Sequence, residues 1–450
     1  MRTAILSVLL AIVLGLNSVG FASTNHVQPL PPTPPLPSTV IGQVNFTSPG
    51  QATGTAQLGS PEYVALDRSG NLWVSDYQDG WVSEFPSPFS NGERATMEIG
   101  AANFSAGGCT TGDALCEPAG IAFDASGNLW AADGQNASVK EFRVPFSLGE
   151  TPTVSLGGRS LAGAPTSSSF GPAGVAFDAS GNLWVVDSSF NRILEFTAPF
   201  TNHEAASLVI GQASFTTSSN NSSQSRLEGP TSLTFDHAGN LWVADTYDNR
   251  ILEFKAPFSN GEGASIAIGQ PNLLSTNGNT TQSTLSLPEG VAFDSNGNLW
   301  VSDTDNNRVV EFVPPLSTGM GATVVLGQDA YFFSGSGIEQ STMNGPEGIA
   351  AGGGGDLWVA DTGNYRVLLF IDPASAAYTS ATTSLTTSEY QTQSSASQVA
   401  TSSASTVTKA TIQGVSVPEF PIQYAILGAF TVVVAATYLL VRNRHTPRYD

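Results

Sequence analysis

The sequence predicts an all-β fold, a six-bladed β-propeller closed into a ring, and three observations carry the prediction. A block centred on Gly-Asn-Leu-Trp recurs six times, each block divides into four short apolar segments, and a segment ahead of the first block matches the piece missing from the last. Tandem four-stranded units of this size, roughly 40 to 60 residues, form propellers because no single unit can bury both its faces alone.

The period comes first. Tryptophans stand at 73, 130, 184, 242, 300 and 358, spaced 57, 54, 58, 58 and 58 residues apart, with Asp356 replacing Asn in the last tetrad. Twelve residues before each Trp is a Pro (Pro61, Pro118, Pro172, Pro230, Pro288, Pro346) and three after it an Asp (Asp76, Asp133, Asp187, Asp245, Asp303, Asp361). A Phe follows at plus twelve (Phe85, Phe142, Phe196, Phe254, Phe312, Phe370) and a Pro at plus fifteen. Length therefore varies in one place, the loop after the recurrent Gly-Gln element.

The strands follow from local chemistry. In the fifth block, Val291 to Asp294 precedes a Ser-Asn-Gly turn, Leu299 to Asp303 alternates, Arg308 to Phe312 alternates again, and Ala322 to Leu326 ends at Gly327-Gln328. Asn and Gly accept positive φ, and Pro314-Pro315 cannot continue a ladder, so each segment is bounded. Ring closure follows from a complementary deficit. Val40-Ile41-Gly42-Gln43 repeats the end of a fourth strand, whereas the sixth block runs from Pro373 into a Ser/Thr tract without one. Residues 38–43 are thus expected to supply the outer strand of the blade formed by 346–371, removing an open sheet edge.

These residues resemble the NHL-repeat family: Pro-Glu-Gly-Val-Ala-Phe-Asp at 288–294, Gly-Asn-Leu-Trp-Val-Ser-Asp at 297–303, and Asn-Asn-Arg-Val-Val-Glu-Phe at 306–312. The resemblance spans roughly 335 residues and implies a six-bladed propeller used mostly as a binding platform and sometimes as an enzyme scaffold. Blades one and two depart from the pattern, with Trp81 and Ser138 where the others have Arg192, Arg250, Arg308 and Arg366.

Around the propeller (38–373) the chain reads as four further segments. Residues 1–22 form a signal peptide, with an apolar run from Ala4 to Leu16 and small residues Gly20 and Ala22 at the expected cleavage site. Residues 23–37 are a stiff spacer, with six prolines between Pro29 and Pro37. Residues 374–416 are a solvated stalk, since 20 of the 38 residues from Ala374 to Thr411 are Ser or Thr and too few are apolar to build a core. Residues 417–450 are a membrane anchor: the uncharged stretch Ile422 to Val441 is long enough to cross a bilayer as a transmembrane helix, and Arg442, Arg444 and Arg448 place the C-terminus inside. Pro418-Glu419-Phe420 ahead of this span resembles the PEF-CTERM sorting signal of archaeal surface proteins, which implies processing by an archaeosortase.

Charge narrows the partners. The chain carries 16 Lys and Arg against 37 Asp and Glu, a net −21, with 12% charged residues where about 25% is ordinary. Outside the membrane 12 basic and 35 acidic residues remain, a charge of −23. Nucleic acid is excluded as a partner, because phosphate binding draws on clustered Lys and Arg, absent before the tail. An extracellular protein, peptide or glycan is the expected ligand, and a structural envelope component is the bland alternative. Two cysteines exclude a zinc-finger array. Cys109 and Cys116, seven apart in an exported chain, are expected to form a disulfide. Glycosylation sequons stand at Asn45, Asn103, Asn136, Asn220, Asn221 and Asn279, and five of the six lie in the variable loops.

Several residues invite a catalytic reading. The Asp303/Arg308 pair recurs in four blades, whereas a chemical site is needed once, so Arg is expected to tie the Asp-bearing turn to its blade. The repeated Trp and Phe are read as core between blades. Asp303-Thr-Asp305-Asn-Asn307 lacks the glycine and glutamate that a full calcium loop needs and reads as a turn. Only His203 and His237 fall in the propeller, too few for the zinc of the peptide-amidating lyases that share the NHL propeller. Gly335-Ser336-Gly337 sits in a loop rather than a nucleophile elbow.

Position two of the innermost strand differs between blades: Glu62, Ala119, Ala173, Thr231, Glu289 and Glu347. With the ring closed, the three glutamates are neighbours at the channel mouth. They would raise one another's pKa or recruit a cation, with Ca²⁺ the fitting one. Pro288-Glu289-Gly290 is similar to the Pro-Asp-Gly of the gluconolactonase family, whose middle residue binds metal. That resemblance implies a Ca²⁺-dependent hydrolase or lyase as the alternative function; the family's other ligands do not map onto this chain.

Overall fold

The computed structural model describes residues 34–48, 54–100, 115–158 and 165–375. They form six antiparallel four-stranded sheets arranged as a six-bladed propeller. Blade four shows the plan, with Pro230–Phe235 innermost, then Leu241–Asp245, Arg250–Phe254 and Ile266–Ile268 outermost.

The recurrent motif has a physical explanation in the first turn of each blade. Asp236 accepts the backbone N–H groups of Ala238 and Asn240 through Oδ1, and the Asn240 amide and Trp242 indole N–H through Oδ2. Gly239 between them has φ +82°, a conformation side chains resist. One carboxylate thus closes the turn and satisfies the indole, so the ring can be buried without an orphaned donor. Asp67, Asp124, Asp178 and Asp294 do the same for Trp73, Trp130, Trp184 and Trp300.

Those indoles fasten neighbouring blades. Trp184 meets Phe235 and Phe258 of the next blade edge-on, at centroid distances of 5.6 and 4.8 Å, and Trp73, Trp130 and Trp242 repeat the contact with the blade that follows each. The apolar core is accordingly six clusters, each shared between blades. The expectation that Trp and Phe form the inter-blade core holds.

Closure is by the N-terminal strand. Thr39–Ile41 pairs antiparallel with the third strand of blade six, Thr39 opposite Leu369 and Ile41 opposite Val367. Arg366 donates to the carbonyl of Phe46, and Gln43 to that of Asn364, extending the clasp beyond the ladder. Ala374 is buried in the cluster shared by blades five and six, so packing continues past the expected boundary at 373. The signal peptide and the anchor, with nearly all of the stalk and most of the spacer, fall outside the described residues. No helix among the described residues is long and apolar enough to cross a membrane.

Candidate functional site

Antiparallel pairing decides which residues share a face. The starts of the first and third strands and the ends of the second and fourth lie at one end of every blade. The described residues of the variable loops, between the end of a fourth strand and the next Pro, therefore lie on the face that carries the second-position residues Glu62, Glu289 and Glu347. This is the loop face.

The three glutamates lie on adjoining inner strands, Pro288–Phe293, Pro346–Ala351 and Pro61–Leu66, which contact one another in that order across the closure. Burial pushes Glu62 up to about 8, reinforced by the charges of Glu289, Asp76 and Glu117. Burial raises Glu289 too, and Glu347 is raised by burial and then by Glu289 and Glu62, against a hydrogen bond from Thr362. Glu289 thus adds its charge to the shift of both neighbouring glutamates, on top of their burial. Among the described residues, no three Asp, Glu, His or Cys side chains are grouped so that they could hold a metal ion.

Below that mouth the channel is crossed by Tyr63. Its hydroxyl donates to the carbonyl of Thr231 at 2.6 Å, a bond from blade one to blade four on the opposite side of the ring. The other blades have Gly120, Gly174, Ser232, Gly290 and Gly348 at this position. Space there is short: a Cβ at Gly174 would stand 2.7 Å from the Thr231 carbonyl oxygen. Blade one accommodates tyrosine because its bulge falls between Pro61 and Tyr63, so Tyr63 pairs with Ser75, whereas the other blades regain register only at the fourth position. Burial raises the phenol well above its ordinary pKa, and the glutamates add to the shift, so it remains a donor. Sequence reasoning missed this residue, although one large side chain in a column of five small ones was a visible signal.

A second missed feature is a ladder of hydroxyls. Ser188, Thr246, Thr304 and Thr362, each just after the second strand, donate to the carbonyls of Pro230, Pro288, Pro346 and Pro61 in the following blade. The last of these bonds joins blade six to blade one.

The arginines behave as expected, with one addition. Arg308 Nε meets Asp303 Oδ2 at 2.7 Å while its other nitrogens donate to the carbonyls of Thr281, Thr284 and Tyr331. Arg192, Arg250 and Arg366 repeat this pattern. Each guanidinium thus fixes its Asp turn and both flanking loops. The Asp303 to Asn307 stretch is a 3-10 turn capped by Asn307 in the left-handed region, and Asp303 is buried on Arg308 and Asn306. His237 lies in a turn on the other face, and the connection that carries His203 runs back along the outer edge of the preceding blade, where His203 Nδ1 lies 2.6 Å from the Gly157 carbonyl.

Cys116 is buried and disulfide-bonded; Cys109 lies outside the described residues, as does Asn103. Asn45, Asn220, Asn221 and Asn279 are exposed on the loop face. Asn136 is half-buried, and its amide donates to Asp133 at 3.0 Å, which engages the nitrogen a glycan would need.

Comparison with known proteins agrees on the repeat. The NHL repeat model matches residues 285–312 and 343–370, so blades five and six carry NHL repeats. Teneurin-3 of Mus musculus is 26% identical over 223 residues, 44% of this chain, and the chain spans about 8% of that protein's length. Among solved structures, catalytically inactive virginiamycin B lyase from Staphylococcus aureus with quinupristin is 14% identical with a TM-score of 0.42, covering 70% of this chain and 84% of that one. A Bacteroides thetaiotaomicron protein of unknown function is 15% identical with a TM-score of 0.49, covering 74% of each chain.

Proposed function

We propose that the protein is a cell-surface binding module whose loop face captures an extracellular protein, peptide or glycan. One observation carries the reading: the described variable loops and the glutamate mouth share a single face of a frame whose channel Tyr63 closes, so a ligand would engage one side and not pass through. Division between a repeated frame and divergent loops on one face is the usual separation of scaffold from site. The arginine bonds support it further, because they hold the loops in one shape, and a preorganised loop loses less entropy on binding.

The test is saturable binding of the full-length protein to arrays of extracellular proteins, peptides and glycans. Loss of that binding in a Glu289→Gln, Phe332→Ser double variant with an unchanged melting temperature is the expected result. A protein that binds nothing in such arrays, or binds equally well with its loop face altered, is not a module of this kind. Surface anchoring belongs to the same proposal and rests on the uncharged stretch Ile422 to Val441 and the arginines after it. Deleting residues 417–450 should move the protein from the cell envelope to the medium; retention in the envelope overturns the anchor.

A further inference from the structure

The distribution of cations over the two faces is uneven in a way the net charge does not show. Ten Lys and Arg fall within the described residues. Five of them, Lys140, Arg192, Arg250, Arg308 and Arg366, are buried on aspartates. Arg68, Arg143 and Lys255 are exposed on the face opposite the loops, and Arg94 lies at the rim beside Thr55. Among the described residues, the loop face itself keeps Arg226, whose guanidinium donates to Ser219 at 2.6 Å, and Arg94 reaches its rim from the side. The same face bears Glu117, Glu228, Asp305, Asp329 and Glu339 in its loops and turns, besides the mouth glutamates.

Exposed apolar side chains gather on that face too. Phe332 and Phe333, 71% and 56% exposed, stand in the loop between blades five and six, with Leu274 in the loop before it and Val44 in the loop after it. The loop that carries both phenylalanines also carries Asp329 and Glu339. Three consecutive loops thus present apolar groups along the sector whose inner strands hold Glu289, Glu347 and Glu62. Neutral glycans would leave that negative field unused, and an acidic ligand would be repelled by it.

We propose that the loop face docks a positively charged peptide segment bearing apolar side chains, supplied by a partner protein, with its cationic groups facing Asp329 and Glu339 and its apolar groups on Phe332 and Phe333. The proposal rests on the binding-module reading and specifies the ligand class within it. Aromatic anchors would provide most of the binding energy and the acidic field the approach rate and the choice of partner.

The test uses full-length protein and three probes: a synthetic decamer of alternating Lys and Phe, its Glu and Phe counterpart, and a neutral glycan array. The Lys decamer should bind, with affinity falling at least tenfold between 50 and 300 mM salt, a range over which screening of exposed charges becomes strong. The paired change Phe332→Ser, Phe333→Ser should weaken binding about tenfold or more, and Asp329→Asn with Glu339→Gln should flatten the salt dependence. Ile371→Ser, at an exposed apolar residue on the opposite face, should leave binding unchanged. Equal binding of both decamers, or insensitivity to the phenylalanine change, overturns the proposal. Glycan binding without decamer binding also overturns it while leaving the binding-module reading intact; silence of all three probes and of the broader arrays removes both.

Discussion

Blades three to six and blades one and two are built on the same ladder but are locked differently. In the former, a buried arginine joins the Asp turn to two loops, and a Ser or Thr hydroxyl reaches the next blade's first carbonyl. In blade one Trp81 fills the arginine position and Tyr77 the hydroxyl position; in blade two they are Ser138 and Gly134. Asp76 is held instead by the backbone amides of Gly59, Ser60 and Asp79, and Asp133 by Lys140 at 2.6 Å. The difference teaches what an arginine adds to a loop. A guanidinium presents five donors in a rigid plane and can hold a carboxylate and several carbonyls together, whereas an ammonium offers three donors from one point. The blade-two lysine balances the charge of Asp133, and the wider tie to the loops belongs to the arginine blades.

The largest effect should come from breaking an arginine blade. Arg308→Ala leaves Asp303 buried without its cation and three carbonyls without a donor, and should cost about 3–5 kcal/mol in denaturant unfolding. Arg308→Lys should recover only part of it, because the charge returns but the fork does not; full recovery would mean that charge alone holds the loops.

Acidity sharpens the contrast next. Blade one gathers carboxylates that burial raises and no arginine answers: Glu62 at about 8, and Glu98, pushed to about 7 by burial and the charge of Asp79. A carboxyl raised in the folded state binds more protons folded than unfolded, so its contribution is retained at low pH and lost as pH rises from the ordinary carboxylate value toward the folded one. The melting temperature should therefore fall between pH 5 and pH 9, and Glu62→Gln should flatten the fall above pH 7. A melting temperature that rises across this range contradicts the assignment.

Single neutral bonds come third. Thr362→Val removes the hydroxyl that ties blade six to Pro61, and Tyr63→Phe the bond across the channel. Each should cost about 1 kcal/mol. Hydrogen exchange should quicken at 61–66 in both variants and at 230–235 in Tyr63→Phe alone. The smallest effect is expected at Ser138→Ala. The Ser138 hydroxyl is buried with no hydrogen-bond partner, and its loss should change stability by less than about 0.5 kcal/mol.

Much of the propeller was readable because its determinants repeat in register. The Pro, Trp, Asp and Phe columns mark strand ends, and the stray Val40-Ile41-Gly42-Gln43 announced how the ring closes. The arginine's attachment to Asp was readable from its recurrence. Its reach to the carbonyls of the preceding and following loops was not, since a carbonyl is present at every residue and carries no sequence signal. The glutamate arc was readable once the ring was closed, but whether three carboxylates share a metal depends on side-chain directions that spacing does not encode.

Sequence alone determined the blade count, the strand order within each blade, the closing strand and the face on which variation gathers, because all of these follow from local periodicity and antiparallel pairing. Only the tertiary structure decided that Tyr63 bars the channel, that turn hydroxyls staple one blade to the next, and that Arg68, Arg143 and Lys255 lie on the face away from the loops. These are contacts and placements between residues tens to hundreds of positions apart. They exist because ring closure brings blade one opposite blade four and beside blade six, a geometry that no single repeat contains.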